Sequence, residues 1–410
     1  MSSLYLHIYP SVILSRDKNS HVLYNTDSKK QICFERSLFN DYLFDGLSSR
    51  KNMYNVPIKK EESSNETVQS IVNNDFGFLI TATPRTKPIA LPPKCFFQGN
   101  VHRLIDREHY FNPNILDYIR KIVIHLGGPC SYDCSFCNSY YRQIRHCTKG
   151  TSILSECQLR KIASIIKQIN PVTVELIWSK SSLSRIRNIV SLFQSLKGFK
   201  IYHVNIIYLE IGELIAINDI DSLALIKIAI DIELFENYSS LERQMKKFID
   251  YGNKCVFVFI CTSERDLRIA YKCIEKNVYN FEIKCLYGGK TYSFLDKHFF
   301  LNLSDLQNLS LDMNSIFAHQ NLNYDLFGTI VIDSNANLRF DENSHTIGSI
   351  DDSWYVMINN EFYRNDNPWL WIRDNPPCSN CAYQFLCPPI SSLEIFTGRH
   401  CICSDYYKSL

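Results

Sequence analysis

Three cysteines, Cys130, Cys134 and Cys137, sit in the stretch Gly127-Gly128-Pro129-Cys130-Ser131-Tyr132-Asp133-Cys134-Ser135-Phe136-Cys137 and constrain this chain more than any other feature. The run directly before them, Lys121-Ile122-Val123-Ile124-His125-Leu126, is apolar and reads as a strand entering a core. Thiols packed this closely at a strand's end point to metal. A closed structural zinc site takes four ligands, whereas three thiolates leave one iron of a [4Fe–4S] cluster open for chemistry. The competing reading is three incidental cysteines. The C-terminal end of a strand is also where a parallel barrel keeps its chemistry.

At 410 residues the chain has room for about two or three domains. Its 44 basic and 42 acidic residues leave a net charge of +2, which gives nucleic acid no electrostatic footprint as a partner. The start, Met1-Ser2-Ser3-Leu4-Tyr5-Leu6-His7-Ile8-Tyr9-Pro10, lacks a basic n-region and a small-residue cleavage site. No apolar stretch approaches a membrane span. A cytoplasmic protein is expected. Sixteen cysteines are many for a reducing compartment, so their spacing matters. Cys255, Cys261, Cys273 and Cys285 are scattered through apolar segments and read as small core hydrophobes. Others cluster at metal-ligand spacing.

Residues 1–115 read as a small α+β domain. Short strands are expected over 4–14, 21–25 and 31–35, a helix through Val68 and Ile71, and a further strand over 77–80. Pro84, Pro88, Pro92 and Pro93 mark an extended linker. From 116 to 290 apolar strands alternate with amphipathic helices. Strands are expected over 122–126, 172–178, 202–208, 224–232, 255–261 and 281–287, with helices over 155–169, 183–196, 241–251 and 264–276. That alternation argues for a parallel sheet covered by helices. From 291 to 410 come a hairpin over 328–340, the turn Ile347-Gly348-Ser349-Ile350, and a tail with Cys378, Cys381, Cys387, Cys401 and Cys403. The tail alone suits a zinc knot as well as a cluster.

The C-x3-C-x2-C loop resembles the cluster motif of the radical S-adenosylmethionine superfamily. The hairpin and the C-x2-C-x5-C tail resemble the auxiliary-cluster SPASM or twitch domain of that superfamily's peptide maturases. Together the resemblance covers about residues 120–410. It implies a partial (β/α)6 TIM-like barrel and a cubane cluster on Cys130, Cys134 and Cys137. It further implies S-adenosylmethionine on the open iron, split after reduction to a 5′-deoxyadenosyl radical. Tyr140 and Tyr141 would line the cofactor or fill core space, and Asp231 at the fourth strand's end would reach the cleft or cap a helix. The strands and helices of 1–115 resemble the small winged-helix peptide-recognition element of such enzymes; a packing or dimerisation domain is the alternative. His125 would face the cofactor cleft or serve as a core histidine.

Two departures stand out. The family carries Gly-Gly-Glu after the second strand, where it binds the cofactor's amino group, and here the stretch is Leu176-Ile177-Trp178-Ser179-Lys180-Ser181. The fifth strand ends Ile260-Cys261-Thr262-Ser263-Glu264 without the usual glycine. The hairpin lacks the auxiliary domain's cysteine, which leaves one cluster there at most, on Cys378, Cys381, Cys387 and Cys401 or Cys403; Asp341 and His345 are the substitutes available. With Arg373-Asp374 before Cys378 and Tyr383-Gln384 between the tail cysteines, this is similar to the pseudo-radical-SAM branch of Bacteroidetes peptide-modification systems. Cys147 reads as a helix residue. The expected role is radical modification of a ribosomally made precursor peptide. The alternative is an inactive partner that binds the peptide or a second, true maturase. A zinc-binding interaction protein is the third class.

Overall fold

The computed structural model describes residues 3–49, 51–52, 54–83, 91–93, 111, 113–128, 143, 152–169, 171, 173–177, 186–193, 199–203, 225–249, 255–276, 280–287, 291–364, 367–399 and 401–404. Proline, which removes a ladder donor, breaks the first apolar run at Tyr9-Pro10. The single strand expected over 4–14 is therefore two, β1 (Ser3–Ile8) and β2 (Val12–Arg16), in different sheets. β2, β3 (Ser20–Asn25) and β4 (Gln31–Glu35) form an antiparallel meander. Its first turn is set by Asp17 Oδ1, which accepts from the Asn19 and Ser20 N–H groups at 2.7 Å each. β1 lies between β5 (Asn55–Ile58) and β6 (Gly77–Ala82). The helices Leu38–Ser48 and Glu66–Asn73 bury Leu43, Phe44, Leu47, Val68 and Ile71 against Leu6, Ile8 and Val56 of that sheet.

The middle of the chain delivers the expected alternation. β7 (Lys121–His125), β8 (Thr173–Ile177), β9 (Phe199–His203), β10 (Leu225–Asp231), β11 (Cys255–Cys261) and β12 (Asn280–Cys285) pair in parallel and in chain order. β9 begins three residues before the range expected from sequence. The helix Glu156–Ile169 shows how the layers meet. Ser155 and Gln158 cap its first turn reciprocally, and Leu159, Ile162, Ala163 and Ile166 form one buried stripe. Each fully buried side chain of this size contributes about 1.5–3 kcal/mol.

Alternation along the strands separates two faces. Ile122, Ile124, Val174, Leu176, Ile226, Ile228 and Ile230 share one core with the helices. Val123, Ile177 and Val331 pack together on the other face. The sheet does not end at β7. β13 (Thr329–Ile332) joins it in parallel, followed antiparallel by β14 (Asn337–Arg339) and β15 (Gly348–Ser349). The resulting order is β12-β11-β10-β9-β8-β7-β13-β14-β15. Trp369 locks this end: it is fully buried, its Nε1 donates to the Thr329 carbonyl at 3.0 Å, and its ring stacks on Phe340. Among the described residues, no helix is long and apolar enough to cross a membrane.

Candidate functional site

The end of β7 is held from three sides. Leu126 N–H donates to the Ile177 carbonyl at 3.1 Å, and Leu154 N–H returns to the Leu126 carbonyl at 3.1 Å. Gly127 bridges Ile153 in antiparallel fashion. Gly127 has φ of +69°, and a Cβ there would stand 2.3 Å from Ser334 Cβ and 2.4 Å from the Ser152 carbonyl oxygen, so only glycine fits. The chain thus leaves at Gly127 and comes back at Ile153, side by side at the C-terminal edge of the sheet. Gln143 spans toward the opposite edge: its amide donates to the Tyr287 carbonyl and accepts from the Tyr287 N–H, both at 2.7 Å, just beyond β12. Cys130, Cys134, Cys137, Tyr140, Tyr141 and Cys147 lie outside the described residues, as does Trp178.

The face of the sheet turned away from the helices mixes apolar residues with paired charges. Lys121 pairs with Glu175 at 2.9 Å, and Lys227 pairs with Glu282. His125, at the end of β7, meets Glu342 at 2.9 Å. Asp231 is buried at the end of β10, and its Oδ1 accepts from Glu233 N–H at 3.3 Å, capping the 3-10 turn Ile232–Leu234.

The tail places Cys378, Cys381 and Cys387 near one buried cation, with Cys401 beside Cys378. Arg373 is 5% exposed. Its Nη1 and Nη2 contact Glu394 Oε1 and Oε2 at 2.8 and 3.2 Å, its Nε donates to the Pro388 carbonyl at 2.6 Å, and Nη1 reaches Cys378 Sγ at 3.8 Å. Glu394 also closes a capping box with Ser391. Gln384 donates to the Arg373 carbonyl at 2.7 Å. A hydrogen bond with Cys401, together with burial, pushes the Cys378 thiol up, against the pull of Arg373. Burial raises Cys387 to about 12 and also raises Cys381, whose sulfur accepts from Tyr383 N–H at 3.4 Å. Cys403 lies near both, on a bridge to Leu301.

Among the described residues no three His, Cys, Asp or Glu side chains are set to hold a single metal ion. The donor chemistry nonetheless fits an iron–sulfur cluster. The thiols are soft, Cys401 is buried and the other four half-buried, and Cys378, Cys381 and Cys387 lie close to one cation, features that suit clustered thiolates. Asp341 and His345 serve elsewhere. Asp341 Oδ2 accepts from Asn343 N–H at 3.0 Å within its own turn, and the half-exposed His345 pairs with Glu361 at 3.0 Å.

Two contributors escaped the sequence reading. The meander β2-β3-β4 docks on the tail, where Ile13, Val22 and Tyr24 pack with Ile316, Ala382 and Leu386. Ser15 Oγ donates to the Ala382 carbonyl, and Tyr24 OH accepts from Leu311 N–H at 2.7 Å. Both faces of β3 are buried, Leu23 against the N-terminal helices and Val22 and Tyr24 against the tail, and the sequence of β3 does not say what covers them. The Arg373–Glu394 pair is the other, and Ser391-x2-Glu394 was its one visible signal.

No family model matches the chain. No curated protein matches it. Among solved structures, native anSMEcpe with bound AdoMet is similar over 65% of this chain and 88% of its own, at 13% identity and a TM-score of 0.45. BtrN in complex with AdoMet and 2-DOIA is similar over 60% of this chain and 83% of its own, at 11% identity and a TM-score of 0.26. Likenesses of this size carry no conclusion about this chain.

Proposed function

We propose that this chain is an iron–sulfur protein with a radical S-adenosylmethionine-like core that modifies a precursor peptide in a ribosomal peptide maturation system. One observation carries the reading. The C-x3-C-x2-C loop follows directly on the first of six parallel strands that run in chain order, and its ends are clamped at their C-terminal edge. Cys130, Cys134 and Cys137 would hold the first [4Fe–4S] cluster. Cys378, Cys381 and Cys387, with Cys401 or Cys403, would hold a second, in a SPASM-like tail. When bound, cluster and S-adenosylmethionine supply one-electron chemistry that removes hydrogen from an unactivated carbon. The protein's share is to bind, orient and exclude water. A cytoplasmic setting keeps such thiols reduced.

Trp178 in place of Gly-Gly-Glu favours a second reading, a partner that has lost catalysis and binds the precursor peptide or a true maturase. The product decides between them. Anaerobically reconstituted, dithionite-reduced protein should release 5′-deoxyadenosine from S-adenosylmethionine, and Cys134→Ala should not. Iron-loaded wild type that releases none would leave the partner reading alone.

A further inference from the structure

Three stretches of the chain meet at Tyr287. From one side Gln143 clamps its backbone: the amide donates to the Tyr287 carbonyl and accepts from the Tyr287 N–H, both at 2.7 Å. From the other side comes the tail. The Arg399 guanidinium carbon stands 5.6 Å from the centre of the Tyr287 ring and 4.5 Å from that of Tyr292, within the range of a cation–π contact. Arg399 is delivered there by the helix Ser392–Thr397, which ends on Gly398 in the left-handed region at φ +64°. Its own N–H donates to the Glu394 carbonyl at 3.1 Å. The chain on either side of Arg399 leads to Cys378. Upstream, Glu394 pairs with Arg373, whose Nη1 reaches Cys378 Sγ at 3.8 Å. Downstream, a single residue separates Arg399 from Cys401, which hydrogen-bonds the same thiol.

We propose that Arg399 is a positioning residue that couples metal binding at the tail cysteines to the clamp on Gln143. This rests on the reading that the tail holds a metal. Without metal, the Cys401 end of the segment rests on one thiol–thiol hydrogen bond, a weak donor against a weak acceptor. With Cys378 and Cys401 committed to a common metal, the segment from Glu394 to Cys401 is pinned at both ends. Arg399 is then held over the two rings, and metal binding gains a contact that the metal-free tail makes less firmly. Tyr287 lies just past β12, so its ring meets the tail while its backbone holds Gln143. The link is a chain of packed and hydrogen-bonded side chains. It needs no contact between the two sets of cysteines. Gln143 is therefore clamped most firmly when the tail is loaded.

The test is hydrogen exchange at the Tyr287 N–H, read by mass spectrometry in the full-length chain before and after reconstitution with iron and sulfide. It is run in a Cys134→Ala background, so that the iron retained is the tail's. Loading should slow exchange at Tyr287 by about fivefold or more, the lower end of coupling between sites. Arg399→Ala, loaded to the same iron per chain, should lose that slowing. Arg399→Lys, which keeps a cation over the rings, should keep most of it. Coupling is reciprocal, so Gln143→Ala should also weaken iron retention against a chelator at equilibrium by about the same factor. If Arg399→Ala fails to fold, Gln143→Ala carries the test. Iron bound with Tyr287 exchange unchanged, or slowing equal in Arg399→Ala, would overturn the coupling while the tail metal stands. So would unchanged iron retention in Gln143→Ala. No iron on the Cys134→Ala chain would remove both the tail reading and the coupling.

Discussion

The cysteines of the sheet and those of the tail are the same residue in two different surroundings. Cys255, Cys261 and Cys273 are buried in the core between strands and helices, among aliphatic and aromatic neighbours. Burial alone pushes Cys255 up to about 11, and burial with Glu242 pushes Cys273 up to about 12. Nothing there favours a thiolate. The tail thiols Cys378, Cys381 and Cys387 are half-buried, and Arg373 pulls each of them downward against burial. In the proposed reading it is the cation and the N–H donors within reach that mark the tail thiols as ligands.

The largest effect that could break this contrast lies at Arg373. Arg373→Ala leaves Glu394 buried without its cation and should cost about 3–5 kcal/mol in denaturant unfolding, the range for a broken buried pair. A loss below about 1 kcal/mol would mean the tail does not depend on it. Cysteine replacements sharpen the contrast next. Cys378→Ser should lower iron per chain in reconstituted protein, while Cys273→Ala should keep the iron and cost about 1 kcal/mol for the buried sulfur. Equal iron in both variants would erase the distinction. Tyr24→Phe removes the hydroxyl that ties the N-terminal meander to Leu311 and should cost about 1 kcal/mol.

The smallest effect is on pH dependence. Burial holds His319 below its ordinary value, and its Nδ1 faces the Phe385 carbonyl at 3.0 Å. As pH falls below about 6.5 the unfolded chain takes up a proton that the folded chain resists, so stability should drop on the acid side. His319→Gln should flatten that limb of the stability curve. An unchanged slope would show that His319 is not the group responsible.

The α/β class was legible because apolar strands and amphipathic helices alternate with little interruption from residue 121 onward; β11 and the helix after it begin and end where periodicity puts them. The first strand was misread because apolar composition over 4–14 hid the turn that Pro10 imposes. That β13 would add to β7 was not visible, since a hairpin's sequence fixes its own register but not its neighbour. At the site, spacing marked the tail cysteines, but the guanidinium among them and the sheet beneath them depend on tertiary contacts that no local pattern encodes. Asp231 and His125 were both flagged by position at strand ends. Only the structure shows Asp231 capping a turn and His125 set against Glu342.

The most direct measurement is the electron paramagnetic resonance spectrum of the anaerobically reconstituted, reduced protein, recorded with and without S-adenosylmethionine. The account predicts a reduced [4Fe–4S] signal whose line shape changes when the cofactor is added, and a change that disappears in Cys134→Ala. A reduced-cluster signal identical with and without S-adenosylmethionine would contradict it.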